Sequence, residues 1–380
     1  MRVGTFTGYE YPANKSNSNS SKNILENQNV QIVSSATKLT MPNSTLMKVS
    51  FAGITTAPDT LSPEKHLIRL EDMYGRDLKK CPNDTQIPEK WGGVTLRDIK
   101  QEANLSGKNL IRFDFVKKGK TNLLGINLSN SLLCYAILDG VKISDKDNKA
   151  DLSGAILSNA KLNGAELIKA NLCKANLNDT ELIGAKLNGA NLNEANINWA
   201  DLTKAELKDA NLIKAWLYGA KLNNANLNEA KMNRACLSEA KLNGAMLYKV
   251  KLNDAKLNRA ELRVANLNRA KLIKTDLIEA ELIGANLIGA EFKGANLSKA
   301  KLIEADLNGA NFENAWLLGT NFTDSKNINA AKFNGAYYNS KTKFPEEFNP
   351  KEYGMIFVPN DRERENESYE QFEKLRKTVK

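Results

Sequence analysis

The chain has 380 residues, a formal net charge of +10 and 7% aromatic residues. Its apolar runs are too short to span a membrane, and its Ser- and Asn-rich beginning lacks the apolar core of a secretory signal, so we expect neither membrane insertion nor secretion. The four cysteines share no metal-binding spacing, and the only histidine is His66. We therefore expect free thiols in the cytoplasm, no metal, no cofactor and no histidine-based catalysis.

The N-terminal part of the chain divides into two predicted regions. Residues 1–58 are rich in Ser and Asn at their beginning and are predicted to be disordered. Residues 59–102 are predicted to form a helical cap, because Ser62 and Pro63 are typical of a helix start and apolar residues then recur at helical spacing. Residues 96–103 are predicted to form a second short helix of this cap.

A five-residue repeat occupies residues 103–340, with insertions at residues 117–120 and 146–149. Residues 150–324 contain 35 pentapeptides without a break. Their large position holds 30 Leu, three Phe, one Ile and one Met, and their small position, two residues earlier, holds 31 Ala. Such regularity predicts one repetitive architecture with a continuous core.

Spacing of five residues fits neither a regular helix nor a straight strand. In an α-helix, successive leucines would advance by about 140° and would cover every face. In a straight strand they would alternate between faces, because the side chains have a period of two. The spacing fits a short extended segment followed by a bend, with Ala and Leu inward and Asn or Gly at the corner. The sequence therefore predicts an all-β solenoid with three or four sides.

Repeats such as "ANLNE", "ADLTK", "ANLIK" and "ADLNG" match the motif A(D/N)LXX, and through them the chain resembles the pentapeptide-repeat family. The resemblance implies a right-handed, quadrilateral parallel β-helix with four repeats per coil. Residues 337–355 also resemble the closing segment of cyanobacterial-type members of the family.

The last predicted region, residues 341–380, combines part of this closing segment with a charged terminal helix. The helix carries one apolar stripe, formed by Phe372, Leu375 and Val379. We expect this stripe to pack on the solenoid of its own chain. The alternative is a dimer contact, so a monomer and a homodimer both stay open.

Aromatic residues are unusual at the outward positions of a solenoid. With four repeats per coil, Trp199, Trp216 and Tyr218 fall on one side in adjacent coils, with Cys236 beside them. Because Trp and Tyr are frequent at binding hot spots, the three aromatic residues are candidates for binding a partner. The alternative is that the insertions or the N-terminal segment cover them.

A basic belt spans residues 231–275, which carry 11 Lys or Arg and three Asp or Glu. This composition is typical of a solvated surface, and the alternative is a contact for an acidic partner or nucleic acid. Four sides would spread the basic residues around the solenoid, which argues against a DNA footprint on one face. The candidate binding residues of the belt are Lys231, Arg234, Lys251, Lys256, Arg259, Arg263, Lys271 and Lys274.

The function that the sequence favours is a non-enzymatic scaffold that binds a protein partner through the outer walls of the solenoid. The first alternative is a DNA mimic that acts on DNA gyrase, as the quinolone-resistance members of the family do. That role needs a strongly negative surface, whereas residues 150–324 carry 22 basic and 20 acidic side chains. The second alternative is binding of nucleic acid or an acidic partner through the basic belt.

Overall fold

The computed structural model describes residue 94 and residues 96–359, which belong to the second of the chain's two units, Tyr74–Lys380. The predicted disordered segment 1–58, most of the predicted N-terminal cap and the predicted terminal helix after residue 359 lie outside the described residues. Within the described residues, no helix is long and apolar enough to cross a membrane.

Parallel β-bridges join each repeat to the repeat one coil further along the chain, and they form four columns. Between residues 151 and 306, each bridge joins residues 20 positions apart, from Asp151↔Asn171 to Asn286↔Asp306. Four pentapeptides therefore make one coil with four sides, as the resemblance implied. We name the sides faces A, B, C and D, starting from the repeats of Asp151, Ile156, Lys161 and Glu166.

Two pairs of short strands add to the isolated bridges, one near each end of the described coils. Strand β1 (Lys142–Ser144) pairs in parallel with β2 (Glu166–Leu167). Strand β3 (Tyr337–Tyr338) pairs in parallel with β4 (Ile356–Phe357). All pairing in the described coils is therefore parallel and runs along the solenoid axis.

The backbone of each repeat bonds to the next coil and then turns a corner. Leu152 N–H donates to Asn171 O at 2.7 Å, and Ala155 N–H donates to Leu152 O at 3.1 Å. The corner residue between them, Gly154, has φ +64°, the left-handed value that a type II turn requires at this point. Gly is frequent at this left-handed corner, as the sequence predicted, whereas Lys and Glu occupy it more often than Asn does.

Outward Asn and Asp side chains accept hydrogen bonds from backbone amides that have no backbone acceptor. The amide directly after the inward Leu often has no backbone acceptor. Ser153 N–H donates to Oδ1 of Asp151 at 2.9 Å in its own repeat, and Ile183 N–H donates to Oδ1 of Asn163 at 2.9 Å in the preceding coil. The frequency of Asn and Asp in the repeat therefore has a structural cause.

The core consists of the inward Ala and Leu side chains, which are 0 or 1% exposed along the whole run of unbroken repeats. Thr180, Thr275 and Thr320 replace Ala and are equally buried. Their hydroxyls donate to leucine carbonyls, as Thr275 Oγ1 does to Leu252 O at 2.8 Å. The core thus tolerates a buried threonine hydroxyl because that hydroxyl has a hydrogen-bond partner.

The prediction of a helical N-terminal cap is wrong for the part of it that the structure describes. Residues 96–98 and 101–102 form turns. Ile99 is 1% exposed and lies in the core, five residues after the buried Val94 and six before the buried Leu105. Glu102 N–H donates to Leu124 O in the next coil at 3.0 Å, whereas an α-helix would direct its amides to carbonyls four residues earlier.

Aromatic rings cover the C-terminal end of the coils. Phe333 stacks on Phe312 with ring centroids 5.2 Å apart, and it contacts Phe348 at 5.4 Å. Phe348 stacks in turn on Tyr353, which ends the 3-10 helix Pro350–Tyr353. A shorter 3-10 helix, Ile328–Ala330, precedes this cover. Within residues 341–359 the predicted helical cap thus contains a 3-10 turn and a strand, without an α-helix.

Candidate functional site

Trp199, Trp216 and Tyr218 form one aromatic patch on face B, at its corner with face C. Trp216 lies in the bridge column Asn196↔Trp216↔Cys236, and Trp199 occupies the corner of the preceding coil with φ +60°. The exposed fraction is 37% for Trp199 and 40% for Trp216. Both indoles are therefore partly supported by the coil surface and partly open to solvent.

The patch has a defined internal geometry. The rings of Trp199 and Tyr218 meet edge to face, with centroids 5.1 Å apart and an interplanar angle of 80°. The six-membered ring of Trp199 lies over Gly219, where an added Cβ would overlap it. Gly219 also has φ +62°, so both the turn and the ring above it require glycine.

Charged neighbours hold the Tyr218 hydroxyl. Burial, together with a hydrogen bond to Glu239 and the charge of that carboxylate, raises the pKa of Tyr218 to about 12, although the nearby Arg259 opposes the shift. Arg259 lies within 4.0 Å of Glu239 and donates through Nε to Glu279 at 2.8 Å. The tyrosine ring is thus fixed at the end of an ionic ladder along this corner.

A second group of candidates lies on face A. Lys231, Lys251 and Lys271 bridge one another in consecutive coils and form a lysine column. All three are exposed, and none makes an ion pair within residues 96–359. Elsewhere a lysine at this position pairs with an acid one coil away, as Lys186 does with Glu166 at 3.0 Å. Like charges in register repel, so the lysine column is electrostatically unfavourable by itself.

The basic belt divides between the faces. Arg234 and Lys274 flank the lysine column at one corner, and Lys249 and Arg269 flank it at the other. With the three lysines of the column, these four place seven of the eleven basic residues on one side. The belt residues therefore lie on several faces, as predicted, but they concentrate on face A and its two corners.

The other belt residues have different surroundings. Lys256 lies on face B beyond Cys236, in the column of Trp216. Arg259 belongs to the ionic ladder beside the aromatic patch. Arg263, on face C, binds Glu281 with Nη2 to Oε2 at 2.6 Å, and Arg263 and Lys301 together lower the pKa of that carboxyl. Arg259 and Arg263 thus neutralise neighbouring acids on the solenoid surface.

Two residues that support the aromatic patch, Gly219 and Glu239, were not predicted from the sequence. Both lie in the corner column of Trp199, at steps of 20 residues along the chain. The same arithmetic places Lys231, Lys251 and Lys271 in one column. The spacing of 20 residues could therefore have identified both columns from the sequence, given a coil of four repeats.

Two family models match the repeats. The model of a pentapeptide repeat region matches residues 155–230, and the model of pentapeptide repeats, present in eight copies, matches segments from 225–263 to 300–337. The chain belongs to the pentapeptide-repeat family. A comparison with curated proteins gave no match.

Solved structures of other pentapeptide-repeat proteins are similar to this pentapeptide-repeat chain. One from Nostoc Pcc 7120 is 37% identical, covers 27% of this chain and 84% of its own, and has a TM-score of 0.27. HetL is involved in heterocyst differentiation regulation in the cyanobacterium Nostoc sp. Strain PCC 7120. It is 29% identical, and the match covers 62% of this chain and 89% of HetL, with a TM-score of 0.22. A pentapeptide-repeat protein from the Arabidopsis thaliana thylakoid lumen is 31% identical. The match covers 24% of this chain and 63% of that protein, with a TM-score of 0.23.

Proposed function

We propose that this pentapeptide-repeat protein is a non-enzymatic scaffold that binds another protein through the side walls of its solenoid, with the aromatic patch as the contact. The observation that carries the proposal is the exposure of Trp199 and Trp216, 37% and 40%, on one face in adjacent coils. Large aromatic side chains supply much contact area at a low entropic cost, because they have few rotatable bonds.

The geometry of the patch suits a preformed contact. The edge-to-face packing of Trp199 on Tyr218 restricts both rings before any partner arrives. Tyr218 also keeps its hydroxyl on Glu239, so the ring does not need to be reoriented on binding. A site that is ordered in the free protein loses less entropy on binding.

The proposal is tested by affinity capture with crosslinking from the native organism. The full chain is compared with the double variant Trp199→Ala/Trp216→Ala and with Ile183→Ala, which removes a side chain 42% exposed on face C. We expect a partner that is lost with the double variant and retained with Ile183→Ala. An unchanged set of captured proteins would contradict the assignment of the aromatic patch.

The lysine column supports a second candidate function, binding of nucleic acid or an acidic partner on face A. Its support is the row of exposed lysines without ion pairs in the described coils. We expect retention on heparin that falls steeply with added salt and is lost in Lys251→Glu. The control is Lys221→Glu, since Lys221 pairs with Asp201 at 3.4 Å. No retention of the full chain at low salt would exclude this function.

The role of a DNA mimic acting on gyrase has less support, because the acids and bases of residues 150–324 nearly balance. A supercoiling assay without inhibition at micromolar protein would exclude it. We also propose a right-handed coil, by analogy with the family, and a cytoplasmic location. The free thiols of Cys134, Cys173 and Cys236 support the location.

A further inference from the structure

The corner column between faces B and C carries alternating charges on one side of the aromatic patch. Glu239, Arg259, Glu279 and Lys299 follow one another there at steps of one coil. Arg259 lies 4.0 Å from Glu239 and 2.8 Å from Glu279, and Lys299 lies 4.0 Å from Glu279. Each acid of this ladder therefore has a basic neighbour one coil away.

The acid on the other side of the patch, Asp179, has no basic neighbour in the column. It occupies the corner one coil before Trp199, with φ +55°, and Asn159 occupies the corner before it. Within the described coils, Asp179 accepts a hydrogen bond from Nδ2 of Asn178 and makes no ion pair. Burial raises the pKa of this carboxyl, although the hydrogen bond from Asn178 opposes the shift. At the next corner, where the ladder would place a base, the column holds an indole.

We propose that Asp179 and the aromatic patch together bind an arginine side chain of the protein partner. The guanidinium would stack on the exposed indole surface of Trp199 and donate hydrogen bonds to the Asp179 carboxylate. A cation is attracted to the face of an indole, and arginine binds carboxylates through two parallel hydrogen bonds. This inference rests on the proposed function of the aromatic patch and names the chemical group that the patch recognises.

The charge beside the patch favours a cation over the other groups that pack on aromatic rings. Any group that covers Trp199 removes water from Asp179, one coil away. An apolar side chain would leave that carboxylate without compensation, whereas a guanidinium supplies the opposite charge and hydrogen bonds. A nucleotide would bring its phosphate towards Asp179 and Glu239, and Arg259 on the same corner is already paired with acids.

The openness of the patch favours arginine over lysine. Trp199 and Trp216 are 37% and 40% exposed, so they offer an open aromatic surface and no closed cage. A planar guanidinium stacks on such a surface and is more weakly hydrated than an ammonium group. Quaternary and methylated ammonium groups are typically bound inside aromatic cages.

Ligand titration of the full chain tests the recognition directly. The chain is labelled with 5-fluorotryptophan, and single phenylalanine substitutions assign the fluorine resonances of its four tryptophans. The probe is N-acetyl-arginine amide, and its uncharged counterpart is N-acetyl-citrulline amide at equal ionic strength. We expect a saturable shift of the Trp199 resonance with the arginine probe, about tenfold weaker binding of the citrulline probe, and no shift of Trp316. No saturable shift with arginine, or equal binding of the two probes, would overturn the proposal.

A matched pair of variants isolates the carboxylate. Asp179→Asn removes the charge and keeps the size, and asparagine tolerates the positive φ of this corner. The control is Asp209→Asn, the same change at the diagonally opposite corner, where the aspartate is exposed with φ +60°. We expect Asp179→Asn to weaken binding of the arginine probe about tenfold and Asp209→Asn to leave it unchanged. Unweakened binding in Asp179→Asn would contradict the role of this acid.

Affinity capture with the same variants separates this inference from the proposed function. Loss of the partner with Asp179→Asn, and not with Asp209→Asn, would support the inference. A partner that Asp179→Asn keeps and Trp199→Ala/Trp216→Ala loses would contradict the inference alone, because the patch would then bind its partner without an arginine. A double variant that keeps every captured protein would contradict the proposed function, and the probe titration would still decide whether the site binds arginine.

Discussion

The two ends of face B place the same residue type in the same repeat position and give it opposite environments. Trp316 stacks on Tyr337 with centroids 4.6 Å apart and is nearly buried. Trp216, five coils earlier, has Cys236 as its neighbour in the column and is open to solvent. The repeat therefore determines that a side chain points outward, and residues outside the unbroken repeats determine whether it is covered.

Truncation of the two tryptophans should give the largest difference between these regions. We expect Trp316→Ala to lower the free energy of unfolding by about 3–5 kcal/mol, the usual cost of removing a buried large aromatic side chain. Trp216→Ala should cost less than about 1 kcal/mol, because the side chain is largely exposed. Urea unfolding followed by far-ultraviolet circular dichroism measures both, and equal losses would contradict the comparison.

A methyl group at Gly219 should disturb the open region specifically. Gly219→Ala forces a Cβ into the Trp199 ring and places alanine at φ +62°. Gly184→Ala is the matched control, since its φ is +64° and nothing lies within 4 Å of the added Cβ. We expect the control to cost about 1 kcal/mol for the backbone alone and Gly219→Ala to cost more. Equal unfolding midpoints would show that the ring does not rest on Gly219.

At the exposed corner of Val264, replacing valine by glycine should remove the cost of a left-handed backbone and so stabilise the fold. Val264 has φ +57° and is 72% exposed, so a β-branched residue occupies a left-handed turn with little packing to compensate. Val264→Gly should stabilise the fold by about 1 kcal/mol. A lower unfolding midpoint in this variant would mean that the valine makes contacts that outweigh the turn.

The smallest expected effect is on the titration of the aromatic patch. The pKa of Tyr218 is raised to about 12, mainly by burial and then by Glu239. Folding thus favours the neutral phenol. The contribution of the neutral Tyr218 phenol to the free energy of unfolding is complete below the ordinary tyrosine pKa of about 10. It is lost as the pH rises through about 12.

Absorbance at 295 nm, taken as the difference between the unchanged chain and Tyr218→Phe, isolates this titration. Glu239→Gln should lower the pKa of Tyr218 while leaving it above 10, because burial persists. A pKa of 10 in the unchanged chain would contradict the hydrogen bond and the burial together.

The sequence predicts the interior well and the surface less well, for a physical reason. Ala and Leu recur every five residues because each coil imposes the same steric demand, so the core could be read directly from the repeat. The corner conformation of Trp199 and Val264 could not, since neither residue type favours positive φ. The neighbouring turns impose it.

The difference between Trp216 and Trp316 was also hidden, because it depends on chain that does not follow the repeat. The lysine column could have been predicted. The resemblance already implied four repeats per coil, and in such a coil residues 20 positions apart stack on one another. The turns at residues 96–103 were misread as helix because the apolar spacing there is short and interrupted.

The most direct test of the account is hydroxyl-radical footprinting of the full chain, alone and in an extract of the native organism, with oxidation resolved for each tryptophan. The account predicts that Trp316 is protected in both samples. It predicts that Trp199 and Trp216 oxidise readily in the isolated chain and become protected in the extract. Ready oxidation of Trp316 in the isolated chain, or unchanged oxidation of Trp216 in the extract, would contradict the contrast between the buried Trp316 and an open binding site at the aromatic patch.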